Sequence, residues 1–241
     1  MVELDLNGIV VPAGPCPYLP GREHASFLPV PMRAAMAGYR PLLDAGFRRS
    51  GPILYRPTCE GCDACRPIRV DVAAFRPRRE QVRCARRNAD LVAAWEERGM
   101  DDERFALLDR YQRAIHHDPF ERDQARQFLV EAGGVPGGEV HLRDAGGRLV
   151  GVSIVDRFDD ALSSVYAYFD PELRRRSLGT ALVLEELRLA AGWGLAWHYL
   201  GFHVAACSKM SYKGRFHPHE ILVDDAWVRY DQPGGALGET G

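Results

Sequence analysis

Three consecutive arginines stand where the sequence predicts that a strand ends and a helix begins. The β-branched and aromatic run 164–169 is typical of a strand, and a proline two residues later interrupts it. Apolar residues then recur at helical spacing over 178–189, so Glu186 and its charged neighbours are expected to face away from the core. A small residue at a helix N-terminus lets backbone N–H groups approach an anion, and nearby guanidinium groups add bidentate phosphate donors. The sequence therefore predicts a polyanion-binding loop, with an exposed charged turn as the alternative. Its residues are Arg174, Arg175, Arg176, Ser177 and Gly179.

The two lysines of the chain form a second basic feature. Among 31 Lys and Arg residues, Lys209 and Lys213 are the lysines, and they lie four residues apart, just after the strand-like segment 197–204. Lysine carries a compact point charge and, unlike arginine, can lose its proton when it is desolvated. We interpret the pair as a specific anion site. The alternative is that two isolated lysines have no special role.

Composition limits the class of protein. A chain of 241 residues with 46% hydrophobic and 27% charged residues is typical of a soluble globular protein with one large domain or two small ones. The sequence lacks an apolar run near the ~20 residues of a membrane helix, and six cysteines without an export signal favour the reducing cytoplasm. The net charge of −2 argues against indiscriminate nucleic-acid binding. The segment 33–87, however, carries thirteen arginines and five acidic residues, which predicts a basic face for an RNA or an acidic peptide.

Four cysteines have spacings that suit a metal centre. Cys59, Cys62 and Cys65 form two successive Cys-x-x-Cys pairs, and Cys16 offers a fourth thiolate. Such pairs make tight turns around a zinc ion or an iron–sulfur cluster. The alternative is a set of small buried thiols in a turn-rich domain. The two remaining cysteines, Cys84 and Cys207, are interpreted as core residues.

Helices and strands are predicted around these motifs. The first 80 residues are dense in Pro, Gly and Cys and predict short strands and turns, and the residues after Gly234 are expected to form a frayed tail. The other predicted elements are helices over 81–99, 102–116, 124–132 and 178–189, and strands over 139–143, 148–156, 162–169 and 196–204.

Several of these segments resemble the arginyl-tRNA–protein transferase family, and more narrowly its short bacterial branch. The resemblance covers roughly residues 15 to 230. In the N-terminal half the matching motifs are CPYLPGR at 16–22, LDAGFRRSG at 43–51 and LYRPTC at 54–59. In the C-terminal half they are FDP at 169–171, RSLGT at 176–180, YLG at 199–201 and KMSYKGRF at 209–216. Ser211 and Gly214 stand where the family usually has alanine, and both changes are between small residues.

The resemblance implies a fold, a reaction and its partners. Members transfer an amino acid, leucine in the bacterial branch, from a charged tRNA to the N-terminal amine of a protein that begins with Asp or Glu. The transfer marks that protein for degradation. The implied fold is α+β, with a small Cys-rich domain over 1–100 and a GNAT-like acyltransferase core over 101–241. The predicted order of helices, three-stranded meander, helix and strand agrees with a GNAT core. The chemistry requires no cofactor, although clustered cysteines in eukaryotic relatives imply zinc or an iron–sulfur cluster.

The reaction assigns expected roles to the motifs. Aminolysis of an ester needs aligned reactants, a stabilised oxyanion and removal of a proton. We expect Tyr168 and Asp170 near the reacting centre, and the arginine loop with the two lysines around the tRNA terminus. Recognition of an acidic N-terminus needs cations, for which the candidates are Arg48, Arg49 and Arg56. Three alternatives stay open: arginine as the transferred amino acid, a coenzyme A-dependent acetyltransferase, and a zinc-dependent RNA-binding module.

Overall fold

The computed structural model describes residues 6–232, whose strands form two sheets. The smaller sheet has the strand order β1-β2-β4-β3, and each neighbouring pair in it is antiparallel. The larger sheet has the order β12-β11-β5-β10-β9-β8-β7-β6. The strands are β1 Gly8–Pro15, β2 Glu23–Pro29, β3 Arg48–Ser50, β4 Ile53–Pro57, β5 Arg66–Asp71, β6 Val92–Glu96, β7 Gly137–Arg143, β8 Leu149–Arg157, β9 Ala161–Phe169, β10 Trp197–His203, β11 His219–Val223 and β12 Ala226–Tyr230.

Helices cover both faces of the larger sheet. Leu182 of α6 is buried against one face, while Leu107 and Leu108 of α4 pack with Tyr168 on the other. This layered arrangement buries the apolar side of each helix. The helices are α1 Met32–Ala37, α2 Tyr39–Asp44, α3 Arg79–Arg87, α4 Asp102–Ile115, α5 Arg122–Ala125, α6 Leu178–Gly192 and α7 Ser208–Ser211. A π-helical turn, Arg126–Val130, continues α5, and 3₁₀ turns at Pro171–Arg176 and Tyr212–Arg215 precede α6 and follow α7.

Strands β9 and β10 part halfway along their length. The meander β7-β8-β9 is antiparallel, α6 then crosses over, and β10 runs parallel to β9. Their pairing stops at Tyr199 and Ser163, although β9 continues for six more residues. Beyond that point β10 carries Gly201 at a φ of 82° and pairs only with β5 on its other side. An opening therefore forms between β9 and β10, and we call it the split.

The predicted helix over 81–99 is wrong in its second half. Helix α3 ends at Arg87, where the backbone N–H of Asn88 closes the last turn. The following residues form β6, an edge strand paired with β7. Ala93 and Trp95 alternate toward the cluster under α6, which is the period of a strand. The short apolar run fits either period, and pairing with β7 decides between them.

The other central elements are confirmed within a few residues at their ends, but one hairpin was missed. Strands β11 and β12 join through Asp224 and Asp225, which both have positive φ, as a two-residue hairpin turn requires. Strands β5 and β6 come from the first 100 residues yet belong to the larger sheet, so this sheet crosses the predicted domain boundary. The division at residue 100 stays a prediction, and the predicted tail lies outside the described residues. Over residues 6–232, every helix is too short or too polar to cross a membrane.

Candidate active site

Tyr166 lies on the part of β9 beyond its last pair with β10, and Tyr212 is near it, since the Tyr111 phenol affects the pKa of both. A β-bulge in β9 leaves Val165 without a partner, because Ile154 pairs with Tyr166 and Val155 with Ser164. The Tyr166 hydroxyl accepts a hydrogen bond of 2.9 Å from Nε2 of Gln112. Burial and the nearby Tyr111 phenol raise the pKa of Tyr166 above its usual value. Burial also raises the pKa of Tyr212 to about 12, with contributions from Glu186 and Tyr111.

A buried polar triple joins α6 to both strands where they part. Ser164 Oγ lies 2.5 Å from Glu186 Oε2 and 2.9 Å from His198 Nε2, and the last two atoms are 2.7 Å apart. Glu186 is 1% exposed and His198 is 0% exposed. The expectation that Glu186 faces away from the core is therefore wrong. Glu186 is four residues after Leu182 and three after Val183, so the helical period itself places it on the buried face, where hydrogen bonds to two strands satisfy its carboxylate.

Asp170 holds the arginine loop, residues 174–179, in place. This carboxylate is buried, accepts the backbone N–H of Glu172 at 3.0 Å, and pairs with Arg148 at 2.7 Å. It caps the 3₁₀ turn that carries the three arginines. Such capping fixes the entry of the loop into α6. The expected role of Asp170 near the reacting centre stays a prediction.

The three arginines have different surroundings. Arg174 and Arg175 are exposed, and within residues 6–232 their side chains make no hydrogen bond or ion pair. Arg176 instead pairs with Asp90 and donates to Asn88 Oδ1 at 3.0 Å. Ser177 has a φ of 57° and starts α6 without a side-chain cap. Two of the three predicted phosphate ligands are therefore free to bind, and the third anchors the loop to α3.

Tyr168 lies in the core rather than at the split. Its side chain is 0% exposed, and its hydroxyl has no hydrogen-bond partner among the described residues. Burial raises its pKa far above the usual value. It packs between the larger sheet and α4. Its expected catalytic role stays a prediction, to which this position lends no support.

Arg48 and Lys213 place two cations at the end of β10, of which Arg48 is buried and Lys213 is half-buried. Lys213 Nζ donates to Phe202 O at 3.0 Å, while Arg48 Nη2 donates to Gly201 O at 3.3 Å. Burial, with the neighbouring charge of Arg48, lowers the pKa of Lys213 to about 8. Burial also lowers the pKa of Arg48, which is 4% exposed and whose Nε lacks a partner. Neither cation forms an ion pair with a carboxylate within residues 6–232. Lys209, in contrast, is exposed.

The other two arginines expected to bind an acidic substrate lie elsewhere. Arg49 donates to both oxygens of Asp156 at 2.7 and 2.6 Å, and the side chains of this pair are 0% exposed. Arg98 also pairs with Asp156 at 2.6 Å. Arg56 is exposed, with its guanidinium carbon 5.3 Å from the centre of the Phe47 ring. The structure thus brings Arg48 alone of the three to the split, while Arg49 already has an internal carboxylate partner.

The four predicted metal ligands line one narrow cavity of about 30 Å³. These are Cys16, Cys59, Cys62 and Cys65. Burial, followed by the charges of Cys16 and other nearby thiols, raises the pKa of Cys65 to about 12. Among residues 6–232, no three His, Cys, Asp or Glu side chains are grouped closely enough to hold a metal ion. Cys84 is a buried core residue as expected, but Cys207 lies near this cavity, since its charge also affects Cys65.

A larger cavity of about 650 Å³ lies at the opposite end of β9. It is lined by Trp95 and Trp193, which pack edge to face, and by Arg157 and Phe158 at the end of β8. Its size would suit a small ligand. None of the residues expected to do chemistry reaches it.

Comparison with known proteins agrees with the resemblance read from the motifs. The family model described as "Arginine-tRNA-protein transferase, N terminus" matches residues 14–83, and its C-terminus counterpart matches residues 103–223. Two similar curated proteins carry the name aspartate/glutamate leucyltransferase. The protein of Teredinibacter turnerae is 40% identical over 222 residues, which is 90% of this chain and 91% of that protein. The protein of Thiobacillus denitrificans is 42% identical over 217 residues, which is 88% of this chain and 90% of that protein.

Solved structures give more distant similarities. L-PGS from Bacillus licheniformis superposes with a TM-score of 0.45 at 13% identity, over 70% of this chain and 50% of that chain. FemX superposes with a TM-score of 0.45 at 7% identity, over 81% of this chain and 79% of that chain. The family assignment depends on the sequence matches, which span both halves of the molecule. On those matches, the chain belongs to the arginyl-tRNA–protein transferase family.

Proposed function

We propose that the protein transfers leucine from leucyl-tRNA to the N-terminal amine of proteins that begin with Asp or Glu, and so marks them for degradation. In this reaction the amine attacks the ester carbonyl, an amide bond forms, and the tRNA 3′-hydroxyl leaves. The amine loses a proton and the departing oxygen gains one, so the reaction needs no redox partner. The structural observation that carries the proposal is the pair of cations, Arg48 and Lys213, at the end of β10 next to the split.

Arg48 and Lys213 fit an acidic side chain of the acceptor. Both donate to backbone oxygens of β10 just beyond the point where it leaves β9, and both keep unused N–H donors. A carboxylate between them would form charge-assisted hydrogen bonds, which are stronger than neutral ones. Within residues 6–232 neither cation has a carboxylate partner, and a desolvated charge left unpaired is costly in the free protein. Lys213 therefore suits the acidic pocket better than the tRNA site to which the sequence assigned it.

The donor would approach the same region from the arginine loop. Arg174 and Arg175 are exposed beside the N-terminus of α6, where a phosphate could accept hydrogen bonds from the N–H groups of Leu178 and Gly179, since the Ser177 N–H already donates to Arg174 O. Lys209 is exposed and adds a positive charge. These groups would hold the tRNA 3′ end, while Arg176 keeps the loop on α3.

Phenols at the split would stabilise the developing oxyanion. The raised pKa values of Tyr166 and Tyr212 keep both hydroxyls protonated at neutral pH. A protonated phenol donates a hydrogen bond and does not accept a proton from the amine. Tyr166 already accepts from Gln112, which leaves its own O–H free to donate. We assign an oxyanion-binding role to Tyr166 and Tyr212.

The same proposal includes a GNAT-like core, a cytoplasmic location and a metal centre at the N-terminal thiols. The meander, crossover helix and parallel strand that parts from β9 follow the order expected of a GNAT-like core. Free thiols suit a cytoplasmic protein. The thiols around the narrow cavity are of the donor type that zinc and iron–sulfur clusters bind, and they would have to draw closer together to hold one. Such a centre would stabilise the N-terminal region and take no part in the transfer.

Incubation with charged tRNAs and short peptides tests the proposal. Peptides that begin with Asp or Glu should gain the mass of a leucyl residue from leucyl-tRNA, and peptides that begin with Ala or Lys should not. A gain of arginine from arginyl-tRNA would assign the alternative donor. Calorimetric binding of acetyl-CoA together with no gain from any charged tRNA would favour the acetyltransferase alternative and refute the proposal.

A further inference from the structure

Helix α3 carries an unusual concentration of arginines on its surface. Residues 78–87 contain five arginines and one acidic residue. Arg79, Arg83 and Arg86 follow the spacing i, i+4, i+7, so they lie on one face of the helix, and all three are exposed. Gln81, Cys84 and Asn88 occupy the opposite face and are buried. We call Arg79, Arg83 and Arg86, together with Arg174 and Arg175, the arginine ridge.

The protein itself does not compensate the charge of the ridge. Thirteen of the 29 arginines form ion pairs with carboxylates within residues 6–232, and the other sixteen include the five ridge arginines. Their side chains also make no hydrogen bonds within that part of the chain. Like charges at this spacing on a helix repel one another, and a bound polyanion would relieve that repulsion.

Helix α3 also joins the two basic motifs of the C-terminal half. Arg87 Nη1 donates to Arg175 O at 2.5 Å, and Asn88 Nδ2 donates to Arg176 O at 2.9 Å. At the other end of α3, Gln81 Nε2 donates to Arg215 O at 3.3 Å, two residues from Lys213. The buried face of α3 therefore packs against the loop that enters α6 and against the segment that carries Lys213, while Arg79, Arg83 and Arg86 lie on the opposite, exposed face.

We propose that the arginine ridge binds the phosphate backbone of the tRNA acceptor arm, and this proposal depends on a tRNA being the donor. A 3′ end held at the N-terminus of α6 continues into a double-stranded stem, which must leave the split over a neighbouring surface. The ridge offers such a surface, with five exposed guanidinium groups. Contacts of this kind fix the position of an RNA without reading its sequence, and they are sensitive to salt.

Direct binding of deacylated tRNA, measured by fluorescence anisotropy at several salt concentrations, tests the ridge. The variant is Arg79→Gln/Arg83→Gln/Arg86→Gln, in which glutamine keeps helix propensity close to that of arginine. The control Arg33→Gln/Arg126→Gln/Arg157→Gln removes the same charge from three exposed arginines on other elements. For the ridge variant we expect a Kd at least tenfold higher at 0.1 M salt and a slope of log K against log salt that is smaller by about 2–3. The control should change neither quantity by a comparable amount.

Two results would overturn the ridge proposal. Equal effects of the two variants on tRNA binding would show that the ridge contributes only general charge. A higher KM for the peptide with unchanged tRNA binding would make the ridge a surface for the protein acceptor. Far-ultraviolet circular dichroism and thermal unfolding of each variant identify any loss of structure. If such a loss occurs, the single change Arg83→Gln replaces the triple variant and should reduce the slope by about 1. Because the probe is uncharged tRNA, the outcome is independent of whether leucine is transferred.

Discussion

Lys213→Met is expected to make the protein more stable and less active on acidic substrates. Burial lowers the pKa of Lys213 from 10.5 to about 8, so its charge is held in the folded state against a solvation penalty. This difference between the folded-state and unfolded-state pKa of Lys213 lowers the free energy of unfolding by about 3 kcal/mol at neutral pH. The variant loses the hydrogen bond to Phe202 O, worth about 1 kcal/mol. The free energy of unfolding of Lys213→Met should therefore exceed that of the wild type by about 2 kcal/mol, which corresponds to a rise in Tm of roughly 4–8 °C for a chain of this length.

The pH dependence of this gain has a definite sign. Below pH 8 the lysine is protonated in both the folded and the unfolded state, so the burial penalty is present in full. Between pH 8 and 10.5 the folded state releases its proton while the unfolded state keeps it, so the wild type gains stability as pH rises. The stability advantage of Lys213→Met should therefore be largest at pH 7 and decrease between pH 8 and 10.5. Urea unfolding across this range measures it.

The same substitution should lower activity selectively. Loss of one charge-assisted contact to the substrate carboxylate costs about 1.5–3 kcal/mol, which is roughly 10–150-fold in kcat/KM for an Asp-initiated peptide. Activity on an Ala-initiated peptide should change little, so the preference for Asp narrows. Lys209→Met is the matched control, because it removes the other lysine from an exposed position. Its stability should stay within about 0.5 kcal/mol of the wild type.

The reasoning would be refuted by either of two outcomes. If Lys213→Met is less stable than the wild type at pH 7 and the difference does not depend on pH, desolvation of the Lys213 charge does not destabilise the folded state. If activity on Asp- and Ala-initiated peptides falls equally, Lys213 does not contact the acidic side chain.

Three further predictions concern other parts of the molecule. Asp156→Asn should destabilise the fold by about 3–5 kcal/mol in urea unfolding, because it leaves Arg49 and Arg98 without their buried carboxylate; a loss below 1 kcal/mol would contradict this. Asp170→Ala should remove a cap worth about 1 kcal/mol and weaken binding of tRNA several-fold by releasing the arginine loop, with the peptide KM unchanged. Protein purified without oxygen should contain about one zinc ion or one iron–sulfur cluster, and Cys65→Ser should lose it together with thermal stability. Metal-free wild type with the same Tm as Cys65→Ser would argue for plain buried thiols.

Local patterns in the sequence determined the central elements. Strands β7 to β10 and helices α4 and α6 follow from apolar periods that are long enough to favour a single structure. The motif Asp170-Pro171 predicted the end of β9, and the structure adds that Asp170 caps the turn that follows. The family resemblance depended on motifs of three to nine consecutive residues, which can be read from one sequence without knowledge of the fold.

The tertiary structure decided which charged residues can meet a substrate. Arg48 and Arg49 are neighbours in the sequence, but adjacent strand residues point to opposite faces, so one reaches β10 and the other reaches Asp156. The helical period places Glu186 on the buried face of α6, but only the tertiary structure supplies its partners on two strands, Ser164 and His198. Arg48 and Lys213 are 165 positions apart, and no local pattern reveals that both donate to the same end of β10. The sequence gives the type of each charged residue, but its ion-pair or hydrogen-bond partner comes from a segment that is distant in the chain and is brought near only by folding.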